Sequence, residues 1–129
     1  MLLDTAGLLC LHHAAELQHT TAVTFFDTAA VRLTHSYVLA EFVALAHARR
    51  LPRSEVLTYI ADIQDSPEVT VVYVEEFLHR EALALLRERP DKDWSLCDAV
   101  SFILMQQYRI TEAVTTDHHF EQAGFVRLL

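Results

Sequence analysis

Four acidic residues of the sequence stand where short apolar segments end or helical ones begin, and together they could form one site. They are Asp4, Glu41, Asp98 and Asp117. In an open parallel sheet the carboxyl ends of the strands form the ligand crevice. Four carboxylates gathered there repel one another strongly unless a cation joins them. Because Mg²⁺ and Mn²⁺ prefer oxygen ligands, these residue types predict a divalent-metal site.

The elements that must position these acids alternate between strand and helix, which is typical of a parallel α/β sheet. Five strands are predicted, at 2–4, 31–34, 69–74, 112–115 and 125–128. Helical patterns cover 6–13, 16–30, 36–50, 53–64, 75–89 and 95–108, and a helical turn covers 118–122. Ser36 is expected to cap the third helix. On this pattern, all four acids are expected at the same end of one sheet.

Length and composition predict a single domain over residues 1–129. The chain has 129 residues, of which 52% are hydrophobic, so it can bury a substantial core. No apolar run approaches the ~20 residues that a membrane span requires. The start lacks the basic residues of a secretory signal. Cys10 and Cys97 are expected to be buried free thiols in a reducing cytoplasm.

Charge and glycine content exclude several classes of protein. Ten basic residues against 18 acidic ones give a net charge of −8, which argues against nucleic-acid binding by bulk charge. This balance still permits a nuclease whose acidic pocket holds metal. Gly7 and Gly124 are the only glycines, so a P-loop or a dinucleotide fingerprint cannot be built.

Each acid also has a purely structural interpretation. Asp4 and Asp117 could cap the helices that follow them. Asp98, three residues after Ser95, is typical of a capping box. Glu41 borders an apolar helix face and could be a half-exposed surface acid. Each interpretation is reasonable for its own residue. However, the expected position of all four acids at one edge of the sheet favours a shared site.

Four segments of the chain resemble the signature of PIN-domain nucleases, and most closely the small VapC-type toxins of prokaryotic toxin–antitoxin pairs. The resemblance extends in order and spacing over the whole chain. Its segments are Leu3-Asp4-Thr5-Ala6, Ser36-Tyr37-Val38-Leu39-Ala40-Glu41, Asp93-Trp94-Ser95-Leu96-Cys97-Asp98-Ala99 and Thr116-Asp117-His118-His119-Phe120-Glu121-Gln122-Ala123-Gly124-Phe125.

The resemblance implies a three-layer α/β/α PIN-like domain with a parallel sheet. It also implies a divalent-metal endoribonuclease that hydrolyses RNA phosphodiester bonds with metal-activated water and leaves a 5′-phosphate and a 3′-hydroxyl. A cognate VapB-type antitoxin and a homodimer are the implied partners. The implied ligands of Mg²⁺ or Mn²⁺ are Asp4, Glu41, Asp98 and Asp117. The implied polar neighbours, which hydrogen-bond the carboxylates or waters, are Thr5, Ser95 and Thr116.

The chain departs from the family at two positions, and several alternatives remain open. Ala6 and His35 stand where relatives often carry small polar residues. His118 and His119 could reach the pocket rim, although surface positions are favoured for both. The alternative functions are a PIN-like RNA-processing nuclease without an antitoxin, and a non-catalytic PIN-like interaction module. A receiver-like signalling domain would need a late lysine, whereas Lys92 is the only lysine.

Overall fold

The computed structural model describes residues 1–129 and contains one parallel five-stranded sheet with seven helices. The strands are β1 (Leu2–Leu3), β2 (Leu33–His35), β3 (Thr70–Val72), β4 (Glu112–Val114) and β5 (Val126–Arg127). The helices are α1 (Thr5–His12), α2 (His19–Thr28), α3 (Ser36–Ala48), α4 (Arg53–Asp65), α5 (Glu76–Glu88), α6 (Leu96–Gln107) and α7 (His119–Gln122). None of these helices combines the length and apolar content that a bilayer crossing requires.

Strand β1 lies at the centre of the sheet, whose order is β3-β2-β1-β4-β5. Leu2 pairs with Leu33 of β2 on one side and with Ala113 of β4 on the other. Successive residues of a strand point to opposite faces, so Leu2 and Leu3 enter different cores. Both are fully buried, which is the pattern of a sheet covered by helices on both faces.

The two cores define the outer layers. Leu3 packs with residues of α1, α3 and α4, among them Leu8 and Phe42. Leu2 packs with residues of α6 and α7, including Phe102 and Phe120, whose rings meet edge to face with centroids 5.1 Å apart. The predicted five-stranded parallel α/β architecture is therefore confirmed.

Most predicted elements are shorter in the structure, and one predicted helix cap is wrong. The helix predicted from residue 16 begins at His19, because residues 13–19 form turns closed by backbone hydrogen bonds. Ser36 does not cap α3: the N-cap is His35, whose extended backbone ends β2 and whose ring accepts a hydrogen bond from the Val38 N–H. The Ser36 hydroxyl instead accepts a 3.0 Å hydrogen bond from the Val74 N–H.

Gly7 allows helix α1 to lie directly against β4. A Cβ atom at this position would stand 2.0 Å from the carbonyl oxygen of Val114. No larger residue fits without moving the helix or the strand. This contact also affects the positions of two polar residues, because Asp4 directly precedes α1 and Thr115 directly follows β4.

Gly7→Ala is therefore expected to destabilise the protein. Forcing a methyl group into a packed backbone contact costs about 1–3 kcal/mol. Urea denaturation should show this loss as a lower transition midpoint with an unchanged slope.

The other glycine provides the matched control. Gly124 has a φ of +90° and open space around its Cα, so Gly124→Ala adds backbone strain but no clash. We expect a loss of about 1–2 kcal/mol for this variant, caused by backbone strain alone. Equal stability of Gly7→Ala and the wild type would contradict the close contact of α1 with β4.

Candidate metal centre

The four predicted acids converge at the carboxyl edge of the sheet, although they come from four separate parts of the chain. Asp4 follows β1, and Asp117 lies three residues beyond β4. Asp98 is the third residue of α6, and Glu41 lies in the second turn of α3. This edge is the ligand crevice of an open parallel sheet.

Asp4 forms the buried floor of the site, with only 6% of its surface exposed. Its Oδ2 accepts a 2.7 Å hydrogen bond from the Thr115 hydroxyl. Burial raises the pKa of Asp4 to about 6. The Thr115 hydroxyl and the Thr5 backbone oppose this shift, and the charges of Asp98 and Glu41 add to it. Although Asp4 occupies the N-cap position of α1, its side chain makes no capping hydrogen bond.

Thr115 joins two of the acids. Its hydroxyl donates to Asp4 and accepts a 3.0 Å hydrogen bond from the Asp117 N–H. The sequence resemblance pointed to the neighbouring Thr116, whose side chain is exposed and makes no hydrogen bond to the acids. The carbonyl of Thr116 accepts from Arg127. Ala113, Val114 and Thr115 are all fully buried, so no alternation in the sequence marks Thr115 as the residue of the site.

Asp98 is held by the predicted capping box, which the structure confirms. The Ser95 hydroxyl accepts from the Asp98 N–H, and Asp98 Oδ2 accepts from the Ser95 N–H, both at 2.9 Å. Asp98 is 7% exposed, so this acid also lies in the floor of the site.

His119 bridges Asp98 and Asp117. Its Nδ1 lies 3.0 Å from Asp98 Oδ2 and 3.3 Å from Asp117 Oδ2, so Nδ1 carries the proton. Its backbone N–H donates to Asp117 Oδ1 at 2.9 Å. The sequence favoured surface positions for both histidines. His118 has that position, with 66% of its side chain exposed, whereas His119 is 19% exposed and belongs to the site.

Glu41 is the most exposed of the four acids. The buried thiol of Cys97 lies near Glu41, Asp4 and Asp98. The pKa of Cys97 is raised first by burial and then by the charges of Glu41, Asp4 and Asp98. The thiol therefore stays protonated and lies among three of the four acids. Cys10 is also a buried free thiol, as the sequence predicted.

The residues of the site fit a hard divalent cation. The only basic side chains within ion-pair distance of the four acids are the two histidines, and neither lysine nor arginine neutralises the site. The Thr5 hydroxyl is buried beside Asp4 without a hydrogen-bond partner. Asp117, His118 and His119 also place one potential ligand atom each within 4.8 Å of the others. Oxygen donors with uncompensated charge suit Mg²⁺ or Mn²⁺.

Comparison with known proteins identifies the family. Residues 1–126 match the PIN domain, so the chain belongs to the PIN-domain family. It is 31% identical over 126 residues to the 23S rRNA-specific endonuclease VapC20 of two Mycobacterium tuberculosis strains, covering 97% of this chain and 95% of the relative.

The fold comparison agrees. The crystal structure of M. tuberculosis VapC20, described as a sarcin-ricin loop cleaving toxin, matches with a TM-score of 0.86 and 29% identity. The match covers 97% of this chain and 95% of that one. The predicted family, the α/β fold and the assignment to the endoribonuclease toxins are confirmed.

The raised pKa of Asp4 predicts how stability depends on pH when no metal is present. Because the folded state holds the Asp4 proton more tightly than the unfolded chain does, this contribution to stability is full below about pH 4. It is lost as the pH rises through about 6. With a chelator present, Asp4→Asn should exceed the wild type in free energy of unfolding above pH 6, by up to about 3 kcal/mol. The difference should shrink towards pH 4 in urea titrations.

Asp91→Asn is the matched control for this measurement. Asp91 is exposed and paired with Arg89, whose hydrogen bond lowers the pKa of Asp91 to about 2. Exposed pairs contribute little, so this variant should change stability only slightly at any pH. A pH-independent difference between Asp4→Asn and the wild type would contradict the predicted burial of charge at Asp4.

Proposed function

We propose that the chain, as a single PIN-like domain over residues 1–129, is a divalent-metal-dependent endoribonuclease and the toxin of a type II toxin–antitoxin pair. The observation that carries this proposal is the convergence of four acids in one crevice that has no lysine or arginine to neutralise it. The proposed ligands of Mg²⁺ or Mn²⁺ are Asp4, Glu41, Asp98 and Asp117.

The bound cation would supply a water of lowered pKa as the nucleophile and would stabilise charge at the phosphorus centre. Residues of the protein would orient the carboxylates that hold this cation. Thr115 fixes Oδ2 of Asp4, and the capping box fixes Oδ2 of Asp98. His119 then holds Asp98 and Asp117 in one arrangement. Such partners behind the ligands keep them in a productive geometry.

Differences in burial divide the four acids into two pairs. Asp4 and Asp98 form the floor, with 6% and 7% exposure, while Glu41 and Asp117 are more open to solvent. A phosphodiester approaching from solvent therefore meets Glu41 and Asp117 first. The exposed ring of His118, 3.6 Å from Asp117, lies on the same open side, where it could donate a hydrogen bond to RNA.

The relatives suggest the class of substrate. VapC20 of M. tuberculosis is named as specific for 23S rRNA and as a toxin that cleaves the sarcin-ricin loop. We propose a loop of structured ribosomal RNA as the substrate, reached in the cytoplasm. The net charge of −8 supports selection by the shape of a loop rather than by general affinity for phosphate.

The proposed partners are a VapB-type antitoxin and a second copy of the chain. The negative charge of the protein and its acidic crevice favour an antitoxin with a basic segment, whose lysine or arginine could enter the site.

Charge-removing variants of the more exposed acids test the proposed centre. Glu41→Gln and Asp117→Asn keep the shape of each side chain and remove one metal-ligand charge. Each should lower RNA cleavage by orders of magnitude, because nucleophile and charge stabilisation are both lost. Cleavage of ribosomal RNA should be measured with Mg²⁺, with Mn²⁺ and with a chelator, beside thermal melts of each variant.

A purely structural role predicts the opposite result for Asp117. Asparagine is itself a good helix cap, so Asp117→Asn should then keep both stability and activity. Asp62→Asn, at an exposed acid of α4 outside the site, provides the control. A Glu41→Gln or Asp117→Asn variant that folds normally and cleaves at the wild-type rate would remove that residue from the centre.

Expression in bacteria tests the toxin assignment separately. The wild-type chain should arrest growth, Asp98→Asn should not, and co-expression of the adjacent small gene should restore growth and give a complex that co-purifies. Binding should weaken as salt rises, since charge attracts the two partners. If the chain cleaves RNA in vitro but is harmless and binds no adjacent product, it is a processing nuclease rather than a toxin.

A further inference from the structure

His35 is completely buried at the junction of three elements. It is the last residue of β2 and the N-cap of α3, and it has no surface exposed to solvent. Histidine is rarely buried completely, and a buried polar side chain needs a hydrogen-bond partner for each polar atom. Both ring nitrogens of His35 have one.

The hydrogen bonds of His35 define its tautomer. Nδ1 accepts from the Val38 N–H at 3.4 Å, so the ring proton resides on Nε2. Nε2 therefore donates to the Ser101 hydroxyl at 2.8 Å, across 66 residues of sequence. Burial lowers the pKa of His35 to about 3, so the ring is neutral and keeps this one arrangement at physiological pH.

Each of the two contacts lies one helical turn from a proposed ligand. Val38 is three residues before Glu41 on α3, and Ser101 is three residues after Asp98 on α6. Ser101 and Asp98 therefore project from the same side of α6, whereas Val38 meets His35 through its backbone N–H at the start of α3. One imidazole thus spans the gap between the two helices that carry Glu41 and Asp98.

We propose that His35 is a positioning residue that sets the separation of Glu41 and Asp98 through its hydrogen bond to Ser101. This inference rests on the proposed metal centre. It adds to that centre a residue that is not a ligand but holds two ligands at a fixed separation. His35 contacts neither substrate nor cation. It fixes the position of α3 relative to α6. Capping of α3 alone would not require the hydrogen bond to Ser101.

Two single variants and their combination test this coupling. His35→Asn places Oδ1 near the position of Nδ1, so the cap of α3 survives, but the side chain has no atom that reaches Ser101. Ser101→Ala removes the same hydrogen bond from the other side with little change of volume. Tyr37→Phe is the control, because it removes the 2.6 Å hydrogen bond from α3 to His79 of α5 and does not involve α6.

The measurement is the Mn²⁺ dissociation constant of each purified chain, obtained by calorimetric titration well below its melting temperature. Loss of a residue that orients ligands weakens metal binding by about tenfold. We expect this change in His35→Asn and in Ser101→Ala, and no further weakening in the double variant, because both changes remove one interaction. Tyr37→Phe should lower the melting temperature, because it removes a partly buried hydrogen bond, and leave the Mn²⁺ affinity within about twofold of the wild type.

The outcomes separate this inference from the proposed function. If the wild type binds Mn²⁺ and Ser101→Ala binds it equally well, His35 serves only the fold and the inference is overturned. Effects that multiply in the double variant would also overturn it, because the two residues would then act independently. If the wild type and the Asp98→Asn variant alike bind no Mn²⁺, the proposed metal centre fails, and the inference fails with it.

Discussion

Burial of negative charge at the carboxyl edge of the sheet is the constraint on which the structure of the site depends. Asp4 and Asp98 are almost wholly buried, and no lysine or arginine stands within ion-pair distance to compensate them. Desolvation disfavours a charged carboxylate unless hydrogen bonds or a cation offset it. The hydrogen-bond donors of the site, such as the Thr115 hydroxyl, supply part of this compensation. A divalent cation would supply the rest, which links folding of the crevice to its chemistry.

This constraint explains local features that otherwise look unrelated. Thr115 must come within hydrogen-bond distance of Asp4, which requires α1 and β4 to approach closely. Gly7 permits that approach, since any side chain there would collide with the Val114 carbonyl. Strand β1 contributes only two residues before the chain turns into α1 at Asp4. Because β1 ends at Leu3, the carboxylate of Asp4 lies at the carboxyl edge of the sheet.

The sequence predicts the elements well and the contacts of single side chains less well. Hydrophobic patterns and breakers are local, so the five strands and the capping box of Ser95 could be found in advance. The hydroxyl that bonds Asp4 belongs to Thr115, which the sequence analysis did not single out, and the cap of α3 is His35 rather than Ser36. Both residues lie at a strand end, where one step along the chain exchanges a buried for a more exposed face. Such contacts depend on tertiary packing, which the sequence pattern does not specify.

The structural and chemical roles of the acids reinforce each other. In the capping box, Asp98 uses Oδ2 to accept from Ser95 and lies within hydrogen-bond distance of His119 through the same atom. Asp4 likewise uses Oδ2 for Thr115. Asp4 and Asp98 are thus each oriented through Oδ2, whereas Asp117 accepts the His119 N–H at Oδ1. A helix cap therefore does not compete with ligation here. It fixes the direction in which the remaining oxygen points, so a local signal of helix initiation becomes part of the geometry of the site.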